Sequence, residues 1–284
     1  MHFAVSSTAF RKIPIEQVIG FAIQGKFTLE FSSGLPYRAD MVDIYRNADI
    51  PRLPHNYFPA PKEPFVLNLA SLIDEISAKS LEHCRQGLLL AKMANAPFYS
   101  VHAGYCIDPP SKELGQKLNA KQTQSREKHW ERFMENLRAL LIEAKKHDVK
   151  LVIENNVFAA FNRQEDGSVP LLCVEHEEIK KMLSELKNLP LGVLIDTGHL
   201  KVSAQTLGFN TDEFVRAVAP HVTAIHHSDN DGSADTNGAI HESYWFLEYM
   251  PLFKEAHHVL EVHDQSLQDI QRQRELLMKA CENE

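Results

Sequence analysis

Two rhythms of apolar and polar positions alternate along the chain. Short apolar runs, each stopped by a polar residue, give way to longer stretches where apolar side chains recur at helical spacing. The clearest short run is Leu191-Gly192-Val193-Leu194-Ile195, closed by Asp196 and followed by Thr197-Gly198-His199. A run this continuous reads as a strand buried on both faces, as in a parallel sheet. The same reading places strands at His2–Ser7, Phe27–Phe31, Ile50–Pro54, Phe98–His102, Lys150–Glu154, Val222–His226 and His258–Val262. Between them, helical patterns fall after Pro14 and over Arg38–Asn47, about Asp74–Ala94, about Arg126–His147, Glu175–Leu186, Asp212–Val218, near Glu242–Ala256 and about Gln265–Cys281. Pro59–Pro64 reads as a loop, Phe65–Ala70 as extended chain, and the polar stretch Asp108–Ser125 as a surface excursion long enough to serve as a lid.

Eight strand-then-helix units predict an α/β fold, a (β/α)8 barrel, and no shift in composition divides residues 1–284 into more than a single domain. In such a barrel the carboxyl ends of the strands share the face that carries chemistry. The residues at those ends are Glu30, His55, His102, Glu154, Asp196, His226 and Glu261, so seven of the eight predicted strands deliver a carboxylate or imidazole to one rim. Carboxylates crowded together repel one another, and a divalent cation resolves that repulsion.

Each residue taken alone has a plainer reading. Glu30 suits a pair with Arg38, and Asp196 with His199 suits a turn cap beside a surface histidine. Glu154 and Glu261 end strongly apolar strands, where an unpaired charge is costly. Of His226 and His227, strand alternation turns only one inward. Beyond strand seven the chain supplies Asp229, Asp231, Asp235, Asn237 and His241, of which Asp231 reads as part of a solvated turn. His83, His129, His147 and His176 lie in polar helical stretches and are expected to be solvated.

Composition narrows the classes. The chain has 284 residues, 44% of them hydrophobic, enough for a full core, and a formal charge of −8 that does not suit neutralisation of a phosphate backbone. Four widely spaced cysteines without a Cys-x-x-Cys pair, and no signal-like start, fit a reduced, cytoplasmic chain. No apolar stretch approaches the roughly 18 residues of a membrane span. Gly-rich phosphate loops and Gly-x-Ser-x-Gly elbows are also missing, which leaves metal and carboxylate as the available machinery. Apolar residues on the last helix suit internal packing or a homo-oligomer equally well.

From strand one to strand eight the chain resembles the xylose isomerase-like TIM barrels, which include sugar isomerases and epimerases and endonuclease IV. The resemblance is carried by Val152-Ile153-Glu154-Asn155, Asp196-Thr197-Gly198-His199, Ile225-His226-His227-Ser228-Asp229 and Leu260-Glu261-Val262. It implies a divalent metal held by Glu154, Asp196, His226 and Glu261, and it selects His226 over His227 through the His-x-x-Asp spacing. In the family's ketose epimerases the two glutamates also exchange protons with substrate, through a metal-stabilised enediolate. His199, and with it Glu30, would contact substrate oxygens.

The endonuclease IV branch carries three zinc ions. His55 and His102, sharing Glu154, match its first site, while His199 and Asp235 match part of its third. Asn237 stands where that third site has a histidine, and the acidic composition disfavours nucleic acid. The resemblance therefore implies first an isomerase or epimerase of a small sugar or polyol derivative, and second a zinc-dependent phosphodiesterase. A barrel without catalysis is a third reading, which the intact quartet of ligands opposes. The metal stays open among Mn²⁺, Zn²⁺, Mg²⁺ and Co²⁺; one mixed carboxylate and imidazole site favours Mn²⁺, and occupation of His55 and His102 favours Zn²⁺.

Overall fold

A computed structural model describes residues 1–164 and 166–282. Eight parallel strands form a nearly closed barrel: β1 (His2–Ser6), β2 (Thr28–Phe31), β3 (Arg52–Pro54), β4 (Phe98–His102), β5 (Lys150–Glu154), β6 (Leu191–Asp196), β7 (Val222–His227) and β8 (His257–Leu260). Their order is β3-β2-β1-β8-β7-β6-β5-β4, with the break in the ladder between β3 and β4. At the carboxyl end of that seam the His55–Ser100 bridge closes the gap, and Asn56 N donates to Ser100 O at 2.7 Å. The seam therefore fixes His55 against β4.

Helices α1 (Ile15–Gly25), α2 (Met41–Asn47), α3 (Asp74–Met93), α4 (Arg126–His147), α5 (His176–Glu185), α6 (Thr197–Leu207), α7 (Thr211–Val218) and α8 (Leu267–Glu282) follow the strands. The strand interiors are buried throughout, as the continuous apolar runs require: Val193, Leu194 and Ile195 have no exposed surface. Among the described residues no helix is long and apolar enough to cross a membrane.

Several expectations need correction. α2 begins at Met41, because Arg38 is engaged outside the helix with Glu16 at 2.7 Å and Asp40 at 2.8 Å. The stretch near Glu242–Ala256 forms no α-helix. It is a 3-10 segment over Trp245–Phe253, and Pro251 inside it lacks the N–H an α-helix would need. β8 stops at Leu260, although Glu261 N still donates to His227 O at 3.1 Å. An unexpected helix, α6, starts directly after β6 in place of a Thr-Gly bend.

Three of the four histidines expected in solvent are buried. His83 is 5% exposed and sits 5.0 Å from the Tyr57 ring, and burial pushes it down to about 4. His129 Nδ1 lies 2.8 Å from Ala70 O, and buried His176 lies 3.1 Å from Glu177. The chain between β3 and α3 covers the first two of these helix faces, and helical periodicity carries no information about such a cover. His147 is half-buried.

A buried carboxylate and histidine cluster as a candidate metal centre

Each predicted rim residue arrives on its own strand end. Glu30 belongs to β2, His102 to β4, Glu154 to β5, Asp196 to β6 and His226 to β7, while His55 and Glu261 follow β3 and β8 by one residue. All seven converge. Glu154, Asp196, His226 and Glu261 bring one donor atom each to within 4.8 Å of one another, and so do His55, His102 and Glu154. Glu30, His55 and His226 form a third such group.

The cluster has bonding capacity that the chain leaves unmet. Among the described residues, both Glu154 oxygens, Asp196 Oδ2 and Glu30 Oε1 are buried and have no hydrogen-bond partner. Buried carboxylate oxygens are ordinarily bonded, because desolvation without compensation is expensive. Glu154 Oε2 faces His55 Nε2 and His102 Nε2, each at 3.6 Å, too far for a hydrogen bond. Donors sharing one ion at about 2.1 Å lie about 3–3.5 Å apart, close to this spacing. His226 Nδ1 lies 3.8 Å from Asp196 Oδ2 and 3.9 Å from Glu154 Oε1. Its 2.7 Å approach to Glu261 Oε2 is not aligned as a hydrogen bond. The residues present thus fit a divalent cation by donor type, convergence and unmet bonding capacity.

Surrounding groups orient the donors. Ser100 Oγ bonds His55 Nδ1 at 2.8 Å, which leaves Nε2 facing Glu154. Glu30 Oε2 sits 3.0 Å from His226 Nε2, leaving Nδ1 toward the quartet. Glu30 therefore pairs with His226 and not with Arg38. Asp196 does cap α6, accepting from His199 N at 2.7 Å through Oδ1, but its Oδ2 remains free for the cluster. His199 is no surface residue. It is 6% exposed, its Nδ1 donates to Asn155 O at 2.9 Å, and its Nε2 stands 3.3 Å from Asp235 Oδ2.

Strand alternation turns His226 inward and His227 outward, as period two requires. His227 Nε2 meets His258 Nδ1 at 2.9 Å and its Nδ1 meets Tyr244 Oη at 3.1 Å. Asp229 is engaged by Lys201 at 2.7 Å, and Asp231 is exposed, bonding Ser233 within its own turn. Asn237 Nδ2 donates to Glu261 O at 3.1 Å, so it supports the chain beside a donor.

Charge states follow from this packing. Burial pushes the Glu154 carboxyl well above the usual range and Asp196 up to about 7. Burial also opposes ionisation of Glu261, but His226 beside it outweighs that and holds it well below the ordinary range. His226 is raised against the effect of burial by Glu30 and Glu261, and His199 by Asp196 and Asp235. Burial depresses His55 and His102, leaving neutral imidazoles of the kind metals bind.

Above the cluster lies a cavity of about 470 Å³, reached by His102, His199 and Asp235. Among the described residues, neither Lys nor Arg lines it. Asn56 Oδ1 and Asp235 Oδ1, both from lining residues, are buried acceptors without partners. Ser100, Asn56 and Tyr105 join the site beyond those singled out from sequence. Ser100 had a signal: Phe98, Ser100 and His102 share one face of β4 at period two, and a serine there is the odd member.

The chain matches the xylose isomerase-like TIM barrel family over residues 29–260 and belongs to it. Among solved structures it is similar to a D-tagatose 3-epimerase-like protein, with TM-score 0.71 and 18% identity, covering 99% of this chain and 97% of that one. It is also similar to D-psicose 3-epimerase with D-tagatose from Clostridium cellulolyticum H10, with TM-score 0.63 and 13% identity over 99% and 91% of the two chains. Endonuclease IV from Thermus thermophilus gives TM-score 0.59 and 18% identity over 98% and 100%. At these identities the likeness speaks for the fold. No curated protein matches the chain by sequence.

Proposed function

We propose that this chain is a divalent-metal-dependent isomerase or epimerase of a small, uncharged sugar or polyol derivative, with the metal on Glu154, Asp196, His226 and Glu261. The observation that carries the reading is the pairing of that buried quartet with a cavity that has unpartnered oxygen acceptors and, among the described residues, no cationic lining. When bound, a divalent ion polarises a carbonyl and its neighbouring hydroxyl and so acidifies the adjacent C–H. Glu154 and Glu261 come from strands three apart around the barrel, which lets one remove the proton and the other return it from a different side. As ligands of the cation both carboxylates would be ionised, so either suits the first role. His199 and Asp235 hold substrate hydroxyls, and Asn56 Oδ1 accepts from another. Glu30 positions His226 through its 3.0 Å contact with Nε2. Mn²⁺ fits a single mixed O/N site, with Zn²⁺, Mg²⁺ and Co²⁺ as the other candidates.

One observation favours the second reading, a zinc-dependent phosphodiesterase: His55, His102 and Glu154 form another donor set beside the first. Against it stand Asn237, turned to Glu261 O, and a cavity whose described lining has no cation to meet phosphate. The test incubates metal-loaded protein with neutral keto-sugars in D₂O and follows exchange next to the carbonyl by NMR. Exchange is expected, and Glu261→Gln is expected to slow it by roughly 10²–10⁴-fold with the fold intact. A fully active variant removes the proton-transfer role. Hydrolysis of phosphodiesters with no exchange on any keto-sugar overturns the reading in favour of the second.

A further inference from the structure

Asn155 follows the donor Glu154 by one residue and is buried, 1% exposed. The β5–β6 ladder ends where Glu154 pairs with Leu194, and Asn155 N donates to Leu194 O at 3.4 Å. Beyond that rung the side chain takes over from the backbone. Asp196 N donates to Asn155 Oδ1 at 2.8 Å, and Asn155 Nδ2 donates to Asp196 O at 3.2 Å. At Asp196 the amide thus supplies the N–H and C=O bonds that a neighbouring parallel strand would otherwise make.

Asp196 is the last residue of β6 and the cap of α6, so its backbone sits where one element turns into the next. On its β7 side it pairs with His226, and on its β5 side Asn155 engages both of its backbone polar groups. With the backbone held, Oδ1 accepts from His199 N at 2.7 Å and Oδ2 is left for the cluster. Asn155 reaches a second group as well: its O accepts from His199 Nδ1 at 2.9 Å, which leaves Nε2 facing Asp235. The next residue gives a contrast. Asn156 is 2% exposed, and its Nδ2 donates to Leu172 O at 2.8 Å, Ala103 O at 3.2 Å and Gly104 O at 3.3 Å, none of them on a donor residue.

Resting on the metal site of the function proposed above, we infer that Asn155 is a positioning residue for the cation: its amide holds the Asp196 backbone so that Oδ2 stays among the quartet. Asn155 touches neither the cation nor substrate and acts through Asp196 and His199. A donor already held in place loses less freedom when the cation arrives, so the amide raises affinity without adding a ligand.

The test titrates Mn²⁺ and, separately, Zn²⁺ into chelator-treated, desalted protein by calorimetry. Asn155→Ala is expected to weaken binding of the tighter ion by about 10–100-fold, and Asn156→Ala by less than about threefold. The chelated forms of both variants should melt lower, since each loses buried amide bonds. A merely structural Asn155 would move that melting point alone. An unchanged Kd in folded Asn155→Ala therefore overturns the inference, as does an equal loss of affinity in Asn156→Ala. Circular dichroism checks both folds. If the alanine variant does not fold, Asn155→Ser carries the same comparison, because its hydroxyl is too short to bridge both groups of Asp196. Binding by the unaltered chain with no change on substitution at Asn155 removes the inference and leaves the metal site standing. No binding by the unaltered chain removes the metal site and the inference together.

Discussion

Glu154→Gln separates a metal ligand from a structural carboxylate. Glu154 is the one residue shared by the quartet and by the His55 and His102 group, so a single substitution disables both donor sets. A cation present at about a thousand times its Kd stabilises the folded chain by about 4 kcal/mol. At this chain length each kcal/mol moves Tm by about 2–4 °C, so the unaltered protein should gain about 10 °C on adding metal. The variant should gain less than about 2 °C by the same reasoning. Without metal the variant should melt at the same temperature or higher, because both Glu154 oxygens lie buried without partners. A glutamine amide can also donate to His55 Nε2 or His102 Nε2, each 3.6 Å from Glu154 Oε2. Differential scanning calorimetry on chelated and metal-supplemented samples reads both quantities. A variant that keeps its metal response, or whose chelated form melts about 10 °C lower, would refute the ligand role and make Glu154 a structural residue.

Other consequences are equally open to test. Chelated protein should lose stability from about pH 7.5 to 9. Glu154, His199 and His226 titrate above their ordinary values, so protons that favour the folded state leave as pH rises, whereas the depressed His55 and His102 are by then neutral in the folded and unfolded states alike. Added metal should reverse that slope, and a metal-free stability that rises over this window would contradict the charge assignment. Gly198→Ala places a methyl 2.5 Å from Ser228 Oγ and 2.9 Å from Asp235 Oδ1, so urea unfolding should show a loss of about 1–3 kcal/mol and metal-loaded turnover should fall. Tyr244→Phe removes the hydroxyl lying 2.6 Å from Thr197 Oγ1 and 3.1 Å from His227 Nδ1, with an expected loss of about 1–2 kcal/mol in the same assay. No measurable loss would mean that this buried chain of bonds does not brace β7.

The strand ends were legible because a doubly buried strand must be continuously apolar, and the polar residue that stops each run is conspicuous. That rule located Glu154, Asp196 and His226, and it placed Glu261 within one residue of its strand. The polar run Thr197-Gly198-His199 hid α6, whose start depends on the Asp196 cap and on Gly198 letting Ser228 and Asp235 come close. The partner of Glu30 could not be read either. It lies 196 residues away on β7, while the nearer Arg38 is held by Glu16 and Asp40. His83 and His129 look solvated on a helical wheel and are buried by a covering segment, which no local pattern encodes.

The central claim is that the strand-end cluster is a divalent metal centre, and metal content per chain tests it most directly. Elemental analysis of protein purified without chelator, and again after equilibration with Mn²⁺ or Zn²⁺ and desalting, should find at least one ion bound per chain. No ion in either sample would contradict the account and leave the buried, unpartnered oxygens of Glu154, Asp196 and Glu30 without an explanation.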